Sequence, residues 1–133
     1  MKTWIEHLVN PRALDGLYDG DPPREGFLLK ELRLEERGPS CFVVVEMPRF
    51  PDVPRDGWDP DATILEVRFS LTLIEDFWMK GGAFGVLVDL EVERADDGFG
   101  ITLRGDGDDL DFSVSGVSFQ VIGMRAHSGE VEI

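Results

Sequence analysis

The chain has 133 residues, 42% of them hydrophobic, and carries 27 acidic against 13 basic side chains, a formal net charge of -14. That length suits one domain with a buried core, and the apolar fraction argues against a disordered chain despite the charge. An acidic excess of this size disfavours nucleic acid and anionic membranes as partners and favours basic protein surfaces.

The first twenty residues read as helical. Thr3 is placed to cap a helix with Glu6 at capping-box spacing, and Trp4, Ile5 and Leu8 share a face. Asn10-Pro11 restarts the helix, Asn10 as cap and Pro11 at its first position, with Leu14, Leu17 and Tyr18 following. Asp19-Gly20-Asp21-Pro22-Pro23 is a loop by composition. From Gly26 the period changes to two. Leu28, Leu32 and Leu34 point one way, and Leu29, Glu31, Arg33 and Glu35 the other. Arg37 to Ser40 reads as a turn, and Cys41 to Met47 as a more buried strand that closes a hairpin.

Pro48, Pro51, Pro54 and Pro60 then mark a segment that cannot donate regularly to a sheet ladder. It reads as an ordered crossing loop pinned to the core by Phe50 and Trp58, in preference to an SH3-type ligand. Leu65, Val67, Phe69, Leu71 and Leu73 alternate with polar residues in a clear strand pattern, and Asp76 to Gly82 reads as a connection. Further strands follow over Val86–Glu93, Phe99–Arg104, Leu110–Ser115 and Val117–Val121, with turns at Asp96-Asp97-Gly98 and Gly105–Asp109. Residues after Ala126 read as a frayed end. The resulting expectation is a mainly β (α+β) single domain over 1–133. It has a helical start over 1–20 and an antiparallel meander of about seven strands over 26–126.

The charge is uneven along this pattern. Residues 75–133 hold 13 acidic and 4 basic side chains, against 14 and 9 in residues 1–74. Strand periodicity places Asp89, Glu91, Glu93, Arg104 and Asp111 on the outward face of the sheet. The four carboxylates, Asp89, Glu91, Glu93 and Asp111, are the candidate contact residues for a basic protein, the alternative being an acidic face that only confers solubility.

Catalytic and metal signals are weak. Asp106-Gly107-Asp108-Asp109-Leu110-Asp111 has Asp111 where a calcium loop of EF-hand type needs glycine and Val117 where it needs glutamate, so a charged hairpin turn is preferred. His7 and His127 have no nearby partner at metal-ligand spacing, and no nucleophile-elbow motif accompanies them. Gly81-Gly82-Ala83-Phe84-Gly85 lacks the lysine of a phosphate loop. Carboxylates are so abundant that a glycosidase-like pair could form by chance, yet none stands out. The expectation is a protein that is not an enzyme, with no metal or cofactor. Cys41, the single cysteine, reads as a buried structural thiol. No apolar run approaches the ~20 residues of a membrane span. The stretch MKTWIEHLVNPRALDG lacks the features of a signal peptide, so the expected location is cytoplasmic.

One resemblance sharpens the functional expectation. Trp4, Asn10-Pro11, Leu14, Leu17-Tyr18, Pro22-Pro23 and Gly26 occur in an order that resembles the start of the bacterial immunity protein 50 family. Gly38-Pro39, Met47-Pro48-Arg49-Phe50-Pro51 and Pro54 to Trp58 continue it, although the spacing between Pro54 and Trp58 is longer than that family's pattern. The motif-like matches lie in residues 4–58, and the downstream strands agree in pattern alone. The resemblance implies a small cytoplasmic protein of a polymorphic toxin system that binds and neutralises a cognate toxin, with no catalytic residue. The main alternative is a small-molecule binding β module, its cavity lined by Phe69, Phe99, Phe112 and Phe119. An enzyme built on a carboxylate pair and self-association through an exposed edge strand also stay open.

Overall fold

The computed structural model describes residues 4–35, 39–81, 85–95, 98–105 and 110–128. Eight strands follow two single 3-10 turns, Trp4–His7 and Pro11–Ala13. The strands are β1 (Phe27–Glu35), β2 (Ser40–Glu46), β3 (Ile64–Thr72), β4 (Asp76–Gly81), β5 (Leu87–Ala95), β6 (Gly98–Gly105), β7 (Leu110–Gly116) and β8 (Ser118–His127). They form one antiparallel sheet in the order β4-β7-β6-β5-β1-β2-β3-β8. The mainly β expectation holds, with short turns in place of longer helices. Among the described residues no helix is long and apolar enough to cross a membrane.

The sheet folds over itself because its middle is weakly joined. β1 meets β5 through two residue pairs, Phe27 with Val88 and Leu28 with Leu87. By contrast, β3 and β8 pair from Ile64–His127 to Thr72–Ser118. Two four-stranded halves, β1-β2-β3-β8 and β5-β6-β7-β4, therefore turn their inner faces toward one another. Cys41, Val45, Val67, Phe69, Leu71 and Phe119 from the first half share one core with Val88, Leu90, Ile101, Leu103, Phe112 and Val114 from the second. Period-two alternation supplies these inward positions, and burying them is the main driving force for the fold.

The N-terminal segment packs on this core. Trp4 stands edge-on to Phe27 and Phe69, with ring centroids 6.1 and 5.8 Å away, and its indole N–H donates to the Pro23 carbonyl at 2.9 Å. Ile5, Leu8, Leu14 and Leu17 are buried beside it. The proline-rich crossing is ordered, as its composition implies. Phe50 packs edge-on to Trp58 at 6.0 Å, and the Val53 N–H donates to the Leu17 carbonyl. Arg55 Nη2 donates to the carbonyls of Arg12, Ala13 and Asp15, so one guanidinium gathers the carbonyls at the end of the second 3-10 turn. Asp52 closes the same junction by accepting from Arg49 Nη1 and from the Asp19 N–H. Those hydrogen bonds, Arg49's first, hold the Asp52 carboxyl below its ordinary range. Cys41 is fully buried, and burial pushes its thiol up to about 12, so it stays protonated and unreactive in the folded protein.

Three expectations need correction. In β1, Leu28 does not share a face with Leu32 and Leu34, nor Leu29 with Glu31: Leu29 is the buried residue, and the register shifts between Leu29 and Glu31. A bulge there inserts Lys30 and moves every following side chain to the opposite face. Asp76–Gly81 is a strand paired to β7, not a connection. Asn10 does not cap the second turn. Its side chain reaches β8 instead, where Nδ2 donates to the Val121 carbonyl at 2.8 Å and Oδ1 accepts from the Val121 N–H at 2.9 Å. With the Val9 N–H donating to the Phe119 carbonyl, residues 9 and 10 cover part of the β8 edge as a strand would. The expected Thr3 cap, the Arg37-Gly38 turn, the Asp96-Asp97 hairpin, the Gly82–Phe84 part of the glycine-rich turn and the Asp106–Asp109 loop lie outside the described residues.

The Asn10 amide gives a direct test. Asn10→Ala should cost about 1–3 kcal/mol, because it leaves a partly buried strand edge without its acceptor and its donor. Equilibrium urea unfolding measures it. A loss below a few tenths of a kcal/mol would show that water replaces the amide at no cost.

A candidate protein-binding face

The outer face of the second half-sheet is a grid whose rows follow from strand register. The first row runs Asp89, Arg104, Asp111, Lys80 across β5, β6, β7 and β4. The second runs Glu91, Thr102, Ser113, Trp78, and the third Glu93, Gly100, Ser115, Asp76. Directly opposed residues share a face, so these twelve residues form one surface. The four predicted contact residues all lie on it. Asp89, Glu91 and Glu93 make a file along β5, and Asp111 sits two strands away beyond Arg104.

Their surroundings differ. Asp89 is exposed, yet its Oδ1 accepts from the Gly26 N–H at 3.1 Å, which ties β5 to the approach of β1. Arg104 Nε lies 3.7 Å from Asp111 Oδ1, a solvent-exposed ion pair of small energetic weight. Glu91 and Glu93 stand opposite Thr102 and Gly100, so no cation directly faces them across the strand pair. The negative field of the face is therefore strongest along the Glu91–Glu93 side.

The far side of the grid is aromatic. Trp78 is 52% exposed and borders a shallow groove of about 190 Å³ lined by Asp76, Phe77, Gly100, Ser113, Val114 and Ser115. The small residues on β6 and β7 leave this depression beside the indole. Thr102 and Ser113 hydroxyls approach to 3.5 Å between the groove and the glutamates. Sequence periodicity could find the file on β5. It could not find Trp78, because Phe77-Trp78-Met79 has no alternation.

The phenylalanines of the alternative ligand-binding reading do not line one cavity. Phe69 and Phe119 stack at 5.1 Å, Phe112 is fully buried, and Phe99 lies half-buried between His7 and Arg94. The interior space bordered by Phe69 and Phe119 is about 20 Å³, room for roughly one water and not for a ligand. Comparison with protein-family models, curated proteins and solved structures returned no match.

Proposed function

We propose that this protein is a non-catalytic immunity protein that binds a cognate bacterial toxin through the outer face of β5-β6-β7-β4 and neutralises it by occlusion. The observation that carries the reading is the convergence of Asp89, Glu91, Glu93 and Asp111 on one exposed face with Trp78 at its border. An exposed aromatic side chain is a common anchor of a protein-docking surface, and a field of one sign beside it steers a partner of opposite charge. The face is preformed on paired strands, so docking requires little ordering of the backbone. The resemblance of residues 4–58 to the immunity protein 50 family supplies the biological class, and with it action in the cytoplasm of the producing cell.

The test is affinity capture with the tagged protein from lysate of the source organism, followed by co-expression of the captured partner. The expected result is a stoichiometric protein with a toxic C-terminal domain, whose growth inhibition this protein relieves. Capture of that partner without relief of its toxicity would sink the reading.

A further inference from the structure

We infer that β4 is a self-association edge, through which two copies of this chain pair antiparallel about a twofold axis at Trp78. This inference does not rest on the toxin-binding reading, although Asp76, Trp78 and Lys80 also belong to the outer face on which that reading draws, and its test reads the mass of the chain with no toxin present. β4 ends the strand order, and all six of its residues are exposed. The opposite terminal strand, β8, is partly covered by Val9 and Asn10, whereas β4 presents Phe77, Trp78 and Met79 at 46, 52 and 39% exposure. A terminal strand with three consecutive large apolar residues is a template for another strand.

The order of charges identifies that other strand. Asp76 and Lys80 flank the apolar triplet, each two residues from Trp78. Reversing the strand direction about Trp78 sets Asp76 opposite Lys80 of the second copy, Phe77 opposite its Met79, and Trp78 opposite its Trp78. Both charged pairs are then attractive, and each residue keeps its side of the sheet. A foreign basic strand would be better met by an edge of one sign. The alternation of signs about a central Trp is self-complementary, the requirement of an isologous contact. At present the Asp76 carboxylate accepts from the neighbouring Phe77 N–H at 2.9 Å, and it exchanges that contact for the lysine on pairing. In the dimer the two outer faces lie side by side on the same side of one continuous sheet.

Sedimentation velocity at about 0.15 M salt, where the Debye length of about 8 Å screens the net charge of the two bodies, reads the mass directly. The wild-type chain of 14.9 kDa should sediment as a dimer. D76K and K80D each place like charges opposite one another, and each should raise the dimer dissociation constant about tenfold or more. A mixture of D76K with K80D restores both attractive pairs and should give a heterodimer of near wild-type affinity. Circular dichroism confirms that these exposed substitutions leave the fold intact. A monomeric wild type at its solubility limit overturns the inference and leaves the edge to a strand of another protein. A dimer indifferent to both single substitutions, or a mixture no tighter than the single variants, overturns it as well.

Discussion

Phe27→Ala should destabilise the protein by about 3–5 kcal/mol, the range for emptying a core site of an aromatic ring. The size follows from where the ring sits. Phe27 is 1% exposed, opens β1, and belongs to one of the two residue pairs that join the halves of the sheet. It also carries the edge-on contact with Trp4 and borders the interior cavity, so its loss enlarges a space already present at the centre. A fold with a net stability of about 5–15 kcal/mol is left marginal by such a change. Guanidinium unfolding should show a lower midpoint with an unchanged slope. Phe42→Ala is the control: that ring is half-buried on the outer face beneath the Arg33 guanidinium, 4.7 Å away, and its loss should cost much less. Equal losses at the two positions would contradict the central role given to the junction.

Replacing Asp89, Glu91, Glu93 and Asp111 by lysine should slow association with a basic toxin by about 10- to 1,000-fold while changing the dissociation rate far less. Long-range attraction acts on the encounter, and these exposed groups sit within a field built by a net charge of -14. The four do not contribute equally. Arg104 faces both Asp89 and Asp111 across the strands and offsets part of their field, whereas Glu91 and Glu93 face Thr102 and Gly100. The Glu91–Glu93 pair alone should therefore account for most of the slowing. Stopped-flow association at several salt concentrations separates the cases, and the wild-type advantage should shrink as salt rises. An association rate that ignores the quadruple replacement would remove this face from the interface.

The sequence made some of this legible and hid the rest for identifiable reasons. Alternation over β3, β5 and β7 fixes which side chains turn inward, because a strand has no other periodicity to offer. The same parity placed Asp89, Glu91 and Glu93 on one face. That Asp111 joins them depends on the lateral order β5-β6-β7, which hairpin succession suggests. Nothing local predicts the closure of β1 against β5 through two pairs, since those partners lie about sixty residues apart. β4 escaped because it is exposed on both faces and so carries no alternation. The inserted Lys30 reversed the assignment of Leu28 and Leu29, for a bulge breaks the parity on which the reading rests. Asn10 before proline has the composition of a helix cap. Its use as a surrogate strand residue is decided by a contact with Val121 more than a hundred positions away.

That surrogate sets the valence of the sheet. A sheet whose two ends can both recruit a neighbour has no stopping point, and copies added at each end would lengthen into a ribbon. With Val9 and Asn10 laid along the Phe119–Val121 part of β8, that stretch of one end is occupied by the chain itself, which favours growth at the β4 end. An encounter there consumes both available ends at once and closes the assembly at two. In the proposed dimer, the few residues that look like the start of a helix would thus favour a finite pair over an extended ribbon.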